Sequence, residues 1–208
     1  FRLKKTERIL FCASKWWGDP DFPEHMEYPA VKVKDEDGSV FDYPLTFICQ
    51  INCEDIAQYD KEGKLPHEGM LYFFGAIDEY LGYGSYTHNG SGEWPKGEFA
   101  VKYAKSVNFE TFQSCILVDD EDNSLTEPEM EMEFFECAED DMEFKILGTP
   151  VHEEVCGRYP EHTSLLQLIN SSEAGTDFGE NGTLNVMIKD NDLKYGNWKK
   201  SKAVLHTL

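Results

Sequence analysis

What this 208-residue sequence lacks narrows it first. No apolar run approaches the roughly 18 residues that a bilayer-spanning helix needs, so no membrane partner is expected. Bases are scarce: 19 Lys and Arg stand against 40 Asp and Glu, a formal net charge of −21. That balance also argues against nucleic acid and anionic lipid surfaces, because a phosphate binder needs clustered cations. There is no G-x-S-x-G nucleophile elbow and no G-x-x-x-x-G-K-[ST] phosphate loop. Gly82-Tyr83-Gly84 begins like a dinucleotide fingerprint but lacks the third glycine and any βαβ setting. No cysteine stands in the signature of a catalytic thiol. No catalytic residue and no cofactor are assigned on these grounds.

What is present suits a folded domain. Hydrophobic residues make up 40% and aromatics 13%, enough for a sizeable core in a single domain spanning 1–208. The chain begins at Phe1 rather than Met, which leaves a preceding segment open. Of six cysteines, Cys12, Cys49, Cys115 and Cys137 sit in apolar stretches, where cysteine behaves as a small buried hydrophobe. Free thiols and a cytoplasmic location are the expectation. Three N-x-S/T sequons, at Asn89, Asn170 and Asn181, are too short a signal to mean secretion. The negative charge is uneven. Residues 119–143 hold thirteen acids and no base, leaving −8 for the rest.

The pattern predicts an α+β, β-rich fold of mostly antiparallel sheets with a few short helices. Residues 31–34 alternate, and Asp37-Gly38 supplies a hairpin turn. Strands are expected over 45–52, 70–76, 98–104, 115–118, 129–134, 144–147, 165–170, 183–189 and 202–206. Asn52 reads as the N-cap of a short helix carrying Glu54 and Asp55 in its first turn. Residues 79–97 interleave five glycines with Tyr80, Tyr83, Tyr86 and Trp94, a long loop that is either functional, capping a binding site, or a poorly ordered surface excursion. In 129–134 the alternation sets Glu129, Glu131 and Glu133 on one face and Met130, Met132 and Phe134 on the other. An internal echo pairs 47–52 with 165–170, one residue out of step, and Gly69 with Gly182. It predicts two pseudo-repeated halves, roughly 1–118 and 119–208.

Metal sites find little support. Cys49 and Cys53 have ligand-like spacing but no companion pair. His152-Glu153-Glu154-Val155-Cys156 is the densest mix of potential ligands, yet Cys156 stands where a zinc helix has its second histidine. An EF-hand starting at Asp119 would need glycine where Ser124 stands and glutamate where Met130 stands. No metal site is predicted, though the acidic stretch leaves a looser calcium-dependent structure open to a melting test.

Several segments resemble one family. Ala13-Ser14-Lys15-Trp16-Trp17-Gly18-Asp19-Pro20, followed by Phe22-Pro23 and Tyr28-Pro29, resembles the S-K-x-G-G-x-P-x-L-P-x-x-x-W-P opening of the YwqG-like family. Pro44-Leu45-Thr46-Phe47-Ile48-Cys49-Gln50-Ile51-Asn52 is similar to its P-L-x-F-L-A-Q-I-N strand. Leu65-Pro66-His67-Glu68-Gly69-Met70-Leu71-Tyr72-Phe73-Phe74 is similar to its L-P-x-x-G-x-L-x-F-F segment. Ile146-Leu147-Gly148-Thr149-Pro150 and Phe178-Gly179-Glu180-Asn181-Gly182 continue the match, which runs in order from about 13 to 205. Trp17 replaces the first glycine, Tyr28 and Phe178 replace tryptophans, and 119–143 matches nothing. The resemblance implies a β-rich fold with duplicated halves, no agreed catalytic residues, and relatives found near bacterial toxin systems.

Two functions follow as expectations. The first is a non-enzymatic protein-binding module, immunity-like or accessory to a toxin system, with Glu129, Glu131 and Glu133 meeting a basic protein. The second is an enzyme or small-molecule binder with a pocket between the halves. Trp16, Trp17, Tyr83 and Trp94 would line that pocket, with Gln50 and Asn52 at its edge.

Overall fold

The computed structural model describes residues 1–35, 37–77 and 92–207. Fifteen strands and three short α-helices lie among these residues, and every strand pairing is antiparallel. The first half holds β1 (Arg2–Lys5), β2 (Lys15–Trp16), β3 (Asp21–Pro23), β4 (Ala30–Lys34), β5 (Val40–Pro44), β6 (Thr46–Asn52), α1 (Cys53–Ile56), β7 (Met70–Gly75), β8 (Gly92–Glu93), β9 (Phe99–Ala104) and β10 (Phe112–Ser114). There follow β11 (Met130–Glu133), β12 (Lys145–Ile146), α2 (Glu153–Arg158), β13 (His162–Ile169), β14 (Thr183–Lys189), α3 (Asp190–Lys194), a 3-10 turn (Trp198–Lys200) and β15 (Lys202–His206).

Two larger sheets share the main core. One has the order β1-β11-β2-β6-β7-β9 and the other β12-β13-β14-β15-β8. Trp16, Ile51, Leu71 and Phe73 of the first meet Leu166, Leu168, Val186 and Leu205 of the second in one buried cluster. A second cluster lies on the far face of the first sheet. There Phe47, Met70, Tyr72 and Phe74 pack beneath Phe22 of β3 and Phe112 of β10. Strand β7 is therefore buried on both faces, which is why its sequence is an unbroken apolar run rather than an alternation. Across the far face of the second sheet, Val155 of α2 covers Met187 and Val204.

One hydrogen-bond frame occurs twice. Lys15 pairs with Gln50 across β2 and β6, and Lys145 with Gln167 across β12 and β13. Gln50 Nε2 donates to Ala13 O and Gln50 Oε1 accepts from Asp21 N. Gln167 Nε2 donates to Glu143 O and Gln167 Oε1 accepts from Val151 N, the same positions relative to each lysine. Trp17 and Leu147 donate backbone N–H to Ile48 O and Leu165 O. Both are left-handed (φ +55° and +62°) and each precedes a positive-φ glycine. The registers of β6 and β13 break beside Ile48 and Leu165, so two consecutive residues face the core at each place. Sheet membership cuts across a division at residue 118: β11 joins the first sheet and β8 the second.

The 45–52, 70–76, 98–104 and 183–189 segments are strands within a residue or two, and Asn52 Oδ1 caps α1 by accepting from Glu54 N. The strand expected at 115–118 is not one. The ladder to β3 runs instead through Phe112–Ser114, and Ile116 and Val118 are exposed. All six cysteines are free.

Candidate functional site

A cleft of about 840 Å³ opens where three parts of the chain converge. Tyr28, Tyr43, Leu45 and Phe47 form one wall, 125–130 the second, and the loop Ser172, Glu173 and Gly175 the third. Trp17 lies at their junction.

The turn after β2 builds this junction. Gly18, at φ +74°, donates its N–H to Glu127 O at 2.9 Å. A Cβ on Gly18 would sit 2.8 Å from the Cβ of Glu129, so only glycine lets the acidic segment approach this closely. On the other side, Trp16 Nε1 and Trp17 Nε1 both donate to the carbonyl of Ala174, at 3.2 and 2.9 Å. The two indoles thereby hold the 171–176 loop, which the Ser171–Thr176 bridge closes, against the first sheet.

Behind the acidic wall lies a buried charge network. Lys15 Nζ is 2.9 Å from Asp21 Oδ2 and 3.3 Å from Glu129 Oε2; Asp21 is fully buried and Lys15 almost so. Asp21 also accepts from Cys12 N, Gln50 Nε2 and Ser114 Oγ. Its own carbonyl accepts from Tyr72 OH at 2.6 Å. Burial, then the Asp21 carboxylate, pushes the Cys12 thiol up to about 11. Burial likewise raises Asp19, which Thr126 Oγ1 contacts at 3.3 Å. Both oxygens of the Asp21 carboxylate thus accept from donors, as a buried charge requires.

The residues singled out from sequence divide sharply. Trp17 and Glu129 line the cleft. Trp16 is in the core, Trp94 is buried beside Gly75, and Gln50 faces Asp21 inside the protein. Asn52 serves α1 and donates to Cys12 O. Tyr83, like most of the 79–97 loop, lies outside the described residues.

Glu129, Glu131 and Glu133 do share one face of β11, with Met130 and Met132 buried behind them. The chain supplies its own cations to all three: Lys15 to Glu129, which also accepts from the backbone N–H of Leu10, Arg8 to Glu131 at 2.9 Å, and Arg2 to Glu133 at 2.5 Å. Two carboxylates of the cleft, Glu127 and Glu173, meet no cation among the described residues. Sequence reasoning missed both as site residues, and also Tyr43, Leu45 and Phe47, although Leu45 and Phe47 lie within the strand expected over 45–52 and Tyr43 just before it.

Asp119 closes its own turn by accepting from Glu121 N, Asn123 N and Asn123 Nδ2. Among the described residues no three potential ligands gather in 119–143. No helix among them is long and apolar enough to cross a membrane.

No curated protein matches the sequence. A family model does, over residues 14–155, which takes in β2, both lysine-frame glycine turns, the acidic strand and most of the cleft. The chain belongs to the DUF1963 family, a domain of unknown function.

Proposed function

We propose that this protein is a binding module whose cleft receives a cationic segment of a protein partner. The observation that carries this reading is the pairing of an aromatic and aliphatic wall with the carboxylates Glu127 and Glu173, which form no ion pair among the described residues, against a single lining cation, Lys5. An apolar body with a positive head, such as an Arg or Lys stem, suits that combination. The net charge of −21 adds long-range attraction for a basic partner. The reading treats the chain as a YwqG-like member of its family, working in the cytoplasm, where its six free thiols would persist. It also treats the chain as two pseudo-repeated halves. The recurring lysine–glutamine frame supports that division, with the cleft formed where the Ala174 loop of one meets the Trp17 turn of the other.

The test is retention of basic peptides on the immobilised protein at low and moderate salt, with the Glu127→Lys/Glu173→Lys variant beside it. Binding should fall as the Debye length shortens below about 10 Å and should vanish in the charge-reversed variant. Equal retention by wild type and variant, or none by wild type at low salt, would refute the reading. The cleft's volume favours a second reading, a small amphipathic cation, since ligand pockets span roughly 300–1,000 Å³. Organic cations that raise the melting temperature while basic peptides do not would favour it.

A further inference from the structure

On the far face of the second sheet, away from the cleft, His152, Glu154 and His206 come together. One nitrogen or oxygen of each lies within 4.8 Å of the other two. They arrive from distant places: His152 is the N-cap of α2, Glu154 lies in its first turn, and His206 ends β15. The two imidazoles lie with centroids 4.2 Å apart, their planes tilted by 39°. We infer that these three side chains form a binding site for a divalent transition-metal ion of the zinc type.

Three further features point the same way. His152 Nε2 is 3.0 Å from the carbonyl of Asn181, an atom that can only accept. His152 therefore carries its proton on Nε2 and leaves the Nδ1 lone pair free, the arrangement that a carbonyl partner imposes on metal-binding histidines. Second, Asn181 presents that carbonyl from a left-handed conformation, φ +48°, which asparagine adopts more readily than most residues. Third, His206 is more than nine-tenths buried, yet its Nε2 has no hydrogen-bond partner. An orphaned imidazole nitrogen in such a place requires an explanation, and a metal ion supplies one. The fully buried Asn185, next but one to His206's cross-strand neighbour Thr183, also has an unpartnered Oδ1 on this side of the sheet.

Two imidazoles and one carboxylate make a borderline donor set that suits zinc, iron, nickel or copper rather than calcium or magnesium. Three protein ligands leave a position for water or a bound ligand, as in open zinc sites. Bond lengths of about 2.0–2.2 Å require the ligand atoms to draw closer than their present spread. Glu154 is exposed while His152 is half-buried and His206 buried, so the adjustment falls on the least packed of the three.

The experiment titrates zinc chloride into the full chain in a Cys137→Ser background, which removes the exposed thiol. One equivalent should bind, and chelator should reverse the accompanying rise in melting temperature. Glu154→Gln and His152→Gln should each weaken binding by more than the roughly 10–100-fold that loss of an outer-shell partner costs. Glu153→Gln, on the same turn, should not. Cobalt should give a visible spectrum of nitrogen and oxygen ligation, without a thiolate charge-transfer band. Because His206→Gln is buried and could unfold, the two variants nearer the surface carry the test. Absence of a one-equivalent site, unchanged affinity in both of them, or a thiolate band would overturn the assignment.

Discussion

The twice-used lysine frame allows one lysine to serve as a control for the other. Lys15 and Lys145 occupy equivalent positions, and both are almost fully buried. Lys15 meets a carboxylate, Asp21, at 2.9 Å. Among the described residues Lys145 Nζ donates to the carbonyl of Glu139, at 2.6 Å, with no ion pair, and Val151 stands where Asp21 would be. Lys15→Met strands a buried carboxylate, a change that generally costs 3–5 kcal/mol. Asp21 keeps three neutral donors, which places the expected loss near the low end, about 3 kcal/mol. Lys145→Met gives up one charged hydrogen bond and leaves no charge behind, about 1.5 kcal/mol. For a chain of this size those losses correspond to melting shifts of about 6–12 °C and 3–6 °C. Urea unfolding at neutral pH measures the two free energies directly, and a cycle with Asp21→Asn isolates the pairwise part. In the Asp21→Asn background, Lys15→Met should lose more than about 1 kcal/mol of its effect. Equal costs for the two lysines, or strictly additive effects of Lys15→Met and Asp21→Asn, would refute the claim that the ion pair distinguishes them.

Gly18→Ala should destabilise by about 2–3 kcal/mol, combining left-handed strain with displacement of Glu129, and should weaken basic-peptide binding. Gly148→Ala, where an added Cβ meets nothing within 4 Å, should cost only the backbone strain, about 1–2 kcal/mol; chemical denaturation of the pair decides. In alkylation followed by mass spectrometry, exposed Cys137 should react first. Cys49 and Cys53 should stay unmodified until unfolding, since both are fully buried and burial lifts the Cys53 thiol to about 12. Early labelling of either would contradict the packing of β6 or of α1. Burial, then Lys189 and Lys202, lowers His162 below its ordinary value of 6.5. Its neutral ring therefore contributes stability that is present above pH 6.5 and lost as pH falls through the lower folded value. His162→Gln should flatten that part of the stability profile, and an unchanged slope between pH 7 and 5 would count against the assignment.

Much of the fold was legible because β-rich cores write simple patterns. The run at 70–76 and the cap at Asn52 are local signals, and each produced the element expected. The miss at 115–118 has a physical cause. An apolar run makes a strand only where a neighbour offers a ladder, and β3 ends opposite Ser114. Helices α2 and α3 escaped notice because five or six residues are too few to show helical periodicity. For the site, composition could not tell Trp17, which lines the cleft, from Trp16 one residue earlier, which is sealed in the core. Nor could it tell that Gln50 turns inward: the bulge beside Ile48 shifts the alternation by one and sends the amide to Asp21. His206 lies more than fifty residues from His152, so no spacing rule connects them before the chain folds.

The shared carbonyl of Ala174 has an optical consequence. Both indoles that donate to it are shielded from water, and one of them also borders the cleft. Anything that pries the 171–176 loop from the first sheet, or presses a cation against Trp17, must change the surroundings of these two rings together. Tryptophan emission is therefore a built-in gauge, able to report occupancy of the cleft without an attached dye.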